Sequence, residues 1–284
     1  MRSTGIAAIL IAVWSFLPIY WLLVLALEPN NSRVDVPPNI FPTNPTLVNF
    51  RFILSLFDPK VLATAGFNSQ FSSGLVHSTV VATAVMVLTL ALSIPGSYAF
   101  ARFSFRFRTT LFLLIFFTRV LPPISIVIPF YQFYKSVNLL GTYQGMIAAQ
   151  LTLTVPLAMW VISGIFASIP QELDKQARID GCSRFRVLQS IMIPVAAPGL
   201  IAMAIVSWLT SWNELVFALF LASIADFYMV PPVLAFASFS ASAPLVIAFV
   251  PPVIAAFILQ KYMTQLRLIS PPVLATGYDA SSQR

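Results

Sequence analysis

The chain has 284 residues, 58% of them hydrophobic and only 9% charged, where a soluble domain carries about a quarter. With a mean hydropathy of +0.88, that deficit excludes a soluble globular domain and points to a polytopic membrane protein. The net charge of +7 has no basic tract with interleaved aromatics behind it, which argues against nucleic acid, and the single cysteine, Cys182, excludes an internal disulfide.

A membrane-crossing helix needs about 20 mainly apolar residues, and six such stretches are read. The first runs from Ile6 to Leu27, with Pro18 inside it. It is too long for a signal peptide and no small-residue cleavage site follows it. Residues 28–73 are rich in proline and asparagine and are expected to form an extramembranous loop, with a short interfacial helix near Asn49 to Leu56. The second span is expected from Gly74 to Phe100, and a basic turn with Arg102, Arg106 and Arg108 follows. His77 is read as a solvated histidine at the outer start of this span. The third span covers Thr109 to Tyr134, broken by Pro122-Pro123 and Pro129, and the fourth Thr142 to Ala167. A polar island follows, then a fifth span from Pro194 to Trp212 and a sixth from Pro244 to Gln260. The expected organisation is therefore 1–27 as the first helix, 28–73 as the outer loop, 74–260 as the membrane core with a cytoplasmic loop at 168–193, and 261–284 as a cytoplasmic tail.

Lysine and arginine divide unevenly across this arrangement. Eleven fall on the side of the termini and the island, four on the other, and Arg119 lies within a span. The positive-inside bias places both termini and the island in the cytoplasm. Arg119 is the clear intramembrane charge, and such a residue is usually paired or functional.

Chemistry is sparse. No G-x-x-x-x-G-K-[ST], H-E-x-x-H or G-x-S-x-G occurs, so a membrane enzyme lacks its catalytic cluster. His77 alone cannot build a metal site, and no metal ligand set is read. A proton-coupled pump would need a relay of buried carboxylates or histidines, for which there is hardly a candidate. The chain reads as a pathway whose energy comes from a partner. The competing reading is an autonomous secondary carrier or channel, although many carriers combine internal repeats and none is evident here.

The island, QELDKQARIDGCSRFRVLQS, holds seven of the twenty-five charged side chains. Ser168-Ile169-Pro170-Gln171 has the form of a capped helix start. Gly181 suits a helix C-terminus, and Ser183 suits the cap of a second, amphipathic helix that returns to the membrane at Pro194.

ELDKQARIDGCSRFRVLQSIMIPVAAPG resembles the cytoplasmic loop of binding-protein-dependent ABC importer permeases, a signature of E-A-A, three residues, G, nine residues and I-x-L-P. Gly181 takes the glycine position, Asp180 precedes it, and Ile191-Met192-Ile193-Pro194 stands nine residues later. Lys175-Gln176-Ala177 stands where Glu-Ala-Ala is usual. Tyr98-Ala99-Phe100-Ala101-Arg102-Phe103, Pro122-Pro123, Ile128-Pro129, Gly141-Thr142-Tyr143 and Trp212-Asn213-Glu214-Leu215 are similar to further family motifs in family order, over residues 75–222. The pattern is closest to the sugar-type subclass, on the side of the maltose-permease G subunit.

The resemblance implies an all-α membrane protein of six transmembrane helices with the type I ABC importer permease fold, in a prokaryotic cytoplasmic membrane. It implies that Glu172, Asp174, Lys175, Gln176, Ala177, Asp180, Gly181 and Ser183 belong to a coupling loop that docks on a cytoplasmic ATPase. It implies a second permease as heterodimer partner, two ATPase copies and an extracytoplasmic solute-binding protein. The chain would bind no cofactor, with ATP and Mg held on the ATPase. Trp208, Trp212, Asn213 and Glu214 combine aromatic faces with hydrogen-bonding groups as sugar sites do, so they and Arg119 are candidate pathway residues. The alternative for the tryptophans is an interfacial belt, with Asn213 and Glu214 stabilising a turn, and Arg119 could instead pair with Glu214.

Overall fold

Apolar sequence forces backbone polar groups to pair within their own segment in lipid, and every regular element among the described residues is helical. The computed structural model describes residues 2–28, 40–42, 44–47, 50, 66–222, 227–235 and 242–269. In chain order the elements are α1 (Arg2–Leu27), α2 (Gly66–Arg102), α3 (Arg108–Phe117), α4 (Pro123–Ser136), α5 (Tyr143–Ser168), α6 (Gln171–Ile179), α7 (Arg184–Val187), α8 (Ile193–Trp212), α9 (Val230–Ala235) and α10 (Ser242–Ile269). Two π-helical turns, Leu188–Met192 and Ala218–Ala222, complete the order. Four stretches among the described residues are long and apolar enough to cross a membrane: Gln70–Arg102, Tyr143–Ser168, Arg184–Trp212 and Pro244–Lys261.

The centre is a three-helix packing of α2, α5 and α8. Small side chains make it possible. Thr89, Ser93 and Ser97 recur every fourth residue on α2, which puts them on one face, and all three are fully buried. Ser93 and Ser97 donate to the carbonyls of Val155 and Met159 on α5. Thr89 and Thr154 share a hydroxyl hydrogen bond of 2.7 Å. A methyl group at Gly199 would approach Ile165 Cδ1 to 2.6 Å, so the bare glycine lets α8 close on α5. Between apolar helices, such close approach and hydrogen bonding do what the hydrophobic effect does in water. Gln150 and Ser211 extend the polar seam from α5 to α8 through a hydrogen bond between Oε1 and Oγ.

Several boundaries differ from the sequence reading. α2 begins at Gly66, eight residues before the expected Gly74. Tertiary contact extends the helix past its apolar run, since Phe71 is fully buried with Ala26, Val230, Val233 and Ala248. The expected third span is two helices. α3 has ten residues, about 15 Å of helix, and Pro122-Pro123 separates it from α4, which starts with Pro123 at its first position. At Pro194, the expected start of the fifth span, helix is continuous from α7 into α8 through a π-turn closed by Ile193 N–H on the Leu188 carbonyl. α10 continues nine residues beyond Gln260, to Ile269. The expected helix at 49–56 lies outside the described residues apart from Phe50, and so does the tail after Ile269.

His77 is not a solvated side chain. Its ring stacks on Phe227 at 4.5 Å, meets Tyr143 edge-on, and its Nδ1 lies 2.9 Å from the Tyr228 carbonyl. Ser78 Oγ, next in sequence, accepts from Val230 N–H at 2.9 Å. Together they hold the segment before α9 against α2.

Candidate functional site

The island folds as two short helices around a glycine. α6 carries Glu172 and Asp174 in its first turn and Arg178 in its last, the charge order that complements a helix dipole. Its start differs from the sequence reading. Ser168 is the last residue of α5, and its hydroxyl bonds back to Ile165 O. Pro170 is the α6 N-cap and supplies no side-chain cap. Proline and the extended residue before it separate the helices here, without help from a hydroxyl.

The C-terminus of α6 follows the sequence reading. Gly181 has φ of +82°, which favours glycine. Its N–H bonds to Arg178 O at 3.1 Å and Cys182 N–H reaches Ala177 O at 3.0 Å, the paired bonds of a Schellman motif. Asp180 is the C-cap. Ser183 caps α7 by accepting from Arg186 N–H.

One edge of α6 faces the protein. Ala177 is buried among Tyr98, Ile169, Val187, Leu188 and Met192. Asp174, one turn earlier, is partly buried, while Glu172, Lys175, Gln176, Asp180, Gly181 and Ser183 are exposed. Ile179 is 84% exposed, a large apolar side chain presented outward.

Asp174 Oδ2 is 3.0 Å from Arg102 Nε, and the two side chains are 15% and 4% exposed. Arg102 is the last residue of α2. Its Nη2 also donates to Ile169 O at 2.7 Å and contacts Met192 Sδ at 3.7 Å. One guanidinium thus meets the end of α5, the middle of α6 and the π-turn that leads into α8. Beside it, Arg184 of α7 lies over the Phe103 ring at 4.4 Å. A cleft of about 280 Å³ opens here, lined by Tyr98, Arg102, Gln171, Lys175, Arg178 and Arg184 among others. Sequence reading placed Arg102 in a basic turn and in the Tyr98–Phe103 motif, but gave it no partner. Its signal was position: a charge directly at the end of a long apolar helix, facing an island with acids.

At the other end of α8 the candidate residues are brought together, with Trp212 and Glu214 buried, Trp208 half-buried and Asn213 exposed. Trp208 and Trp212 stack on each other with ring centroids 4.9 Å apart. Trp212 is buried, and Trp208 Nε1 reaches Thr83 Oγ1 of α2 at 3.4 Å. Asn213 Nδ2 donates to Leu209 O at 2.8 Å. The Glu214 carboxylate accepts from Val216 N–H at 3.0 Å and from Ala218 N–H at 3.1 Å. Arg119 stands apart, half-buried in the turn between α3 and α4, and no ion pair links it to Glu214. Among the described residues the Arg102–Asp174 contact is the ion pair found.

Residues 93–267 match the model of the binding-protein-dependent transport system inner membrane component family. The chain belongs to that family. The trehalose/maltose transport system permease protein MalG of Thermococcus litoralis is 29% identical over 268 residues, 91% of each chain. The trehalose transport system permease protein SugB of Mycobacterium tuberculosis is 29% identical over 210 residues, 74% of this chain and 72% of its own. In structure, a permease chain of a bacterial ABC transporter involved in import of the acidic polysaccharide alginate covers 92% of this chain and 96% of its own, with a TM-score of 0.72 and 19% identity. That likeness establishes the all-helical importer-permease fold. The chain is therefore a multi-pass membrane permease subunit of an ABC importer, without an ATPase site of its own, since ATP is hydrolysed by a separate subunit in this family.

Proposed function

We propose that this permease moves a carbohydrate-class solute, a sugar, oligosaccharide or polyol, from an extracytoplasmic binding protein into the cytoplasm by ATP-driven alternating access. The observation that carries the mechanism is α6: a short, properly ended helix, exposed on most of its surface and joined to the three-helix core by a buried ion pair. Such a helix can pass a rigid displacement to the membrane domain, which a floppy loop cannot. Support for the solute class comes from relatives whose names specify trehalose and maltose.

In this reading Glu172, Lys175, Gln176, Asp180 and Gly181 meet the ATPase, Asp174 and Ala177 hold α6 to the core, and Ser183 shapes the turn. A second, homologous permease completes a heterodimer over two ATPase copies that carry ATP and Mg. For the six spans read from the apolar stretches, with α3 and α4 together making the third crossing, the eleven-to-four distribution of lysine and arginine favours cytoplasmic termini. Trp208 and Arg119, both half-buried, are proposed to face the pathway, and exposed Asn213 and buried Glu214, which bond to their own stretch of chain, to shape the turn beside it.

The test is reconstitution. The permease pair, ATPase and cognate binding protein are assembled in proteoliposomes, and the binding protein is screened by thermal shift against disaccharides, longer sugars and polyols. Uptake of the binding solute that requires ATP supports the proposal. Binding only of non-carbohydrate solutes overturns the solute class, and uptake without ATP overturns the mechanism.

A further inference from the structure

The end of α2 holds a buried cation for which sequence reading assigned no role. We propose that Arg102 is the positioning residue that makes α6 and α2 move as one body, through its contact with Asp174. The inference rests on the coupling role given to α6 above.

Four observations carry it. First, α6 has little else to hold it: Ala177 is its one buried residue, and the rest of its surface is exposed or half-exposed. Second, the Arg102 side chain is 4% exposed, and the charge of so buried a guanidinium needs an opposite charge beside it, which Asp174 Oδ2 supplies at 3.0 Å from Nε as an ion pair without a formed hydrogen bond. Third, its partners come from three segments: Ile169 O at the end of α5, Asp174 of α6 and Met192 Sδ before α8. Fourth, α2 runs 37 residues from this point, about 55 Å, and reaches the His77 and Ser78 contacts that hold the segment before α9. A displacement applied to the exposed face of α6 passes through Asp174 to Arg102, and α2 carries it to the opposite end of the fold. The Arg184–Phe103 contact lies beside this route but is solvent-exposed on the arginine side, where cation–π attraction is weak.

The pair is a tie and not merely a source of stability if breaking it separates the two helices under load. Spin labels are placed at Ile179 on α6 and Val87 on α2, both exposed, in a Cys182→Ser background of the full importer complex in nanodiscs. Pulsed electron–electron resonance then reads the distance without nucleotide and with ATP plus vanadate. In the parent the distance stays narrow and equal in both states. In Asp174→Asn it broadens and shifts by a few ångström on trapping, the scale of helix shifts in switching proteins, because α6 follows the ATPase and α2 does not. The charge exchange Arg102→Asp with Asp174→Arg narrows it again.

A parent distance that changes between states, or an Asp174→Asn distance as narrow and constant as the parent's, overturns the tie. Loss of the ATPase from the Asp174→Asn complex also overturns it, by assigning Asp174 to docking. Failure of the unmodified permease to hold an ATPase is a separate result, which defeats the coupling reading itself.

Discussion

The two ends of α8 satisfy their charged groups by opposite means. At the island end, a buried charge pair joins separate helices, with Arg102 reaching across to Asp174 and Ile169. At the tryptophan end, the charge serves its own stretch of chain: Glu214 caps the N–H groups of Val216 and Ala218, and Asn213 returns to Leu209 one turn back, while neutral groups cross between helices, Trp208 to Thr83 and Ser211 to Gln150. A side chain that bonds to its own neighbours shapes a local turn. One that bonds across elements fixes how those elements move relative to each other. In the proposed mechanism the island end transmits, and the tryptophan end holds a fixed shape.

Breaking the long-range contact has the largest effect. Arg102→Ala leaves the Asp174 carboxylate without its charge partner and costs about 3 kcal/mol, the low end of the loss when one partner of a buried pair is removed, because Asp174 is partly exposed. It is read as a fall in apparent melting temperature of the purified subunit, with faster proteolysis between α5 and α7. Glu214→Ala is next, at about 1–3 kcal/mol, since two backbone donors lose their acceptor in a buried place. Its melting temperature falls while proteolysis of α6 stays at the parental rate, which separates the two ends.

Gly181→Ala follows, at about 1–2 kcal/mol, because a side chain is strained at this positive φ even though the space around it is open. Affinity for the ATPase, measured by titration into nanodiscs, falls with it. Ser183→Ala is the smallest change, about 1 kcal/mol for one lost N-cap. It is read as slightly faster amide exchange at Arg186, with the ion pair intact.

Much of the island was legible because its signals are local. Gly181 and Ser183 act on residues within five positions, so sequence spacing alone places them. The start of α6 was misread because Ser168 had two local options, capping forward or bonding back to Ile165, and the length of α5 decided between them. Arg102 and His77 were passed over for the opposite reason. Their partners lie 72 and 151 positions away in the chain, and no periodicity reports contacts at that separation. The length of α2 before Gly74 was hidden in the same way, since Phe71 is helical by virtue of what packs on it. The tryptophans and Glu214 show a further limit. Residue types common in sugar sites were present at suitable spacing, but spacing does not reveal which way a side chain turns.

The most direct test of the coupling account is affinity purification of the tagged chain from its native membrane in mild detergent, with mass spectrometry of the intact assembly. The account predicts a P-loop ATPase in two copies and one second, homologous permease, with the ATPase lost when Gly181 is replaced by a bulky residue. A chain that purifies alone as a stable monomer or homo-oligomer, and that moves solute in liposomes without ATP, would contradict it.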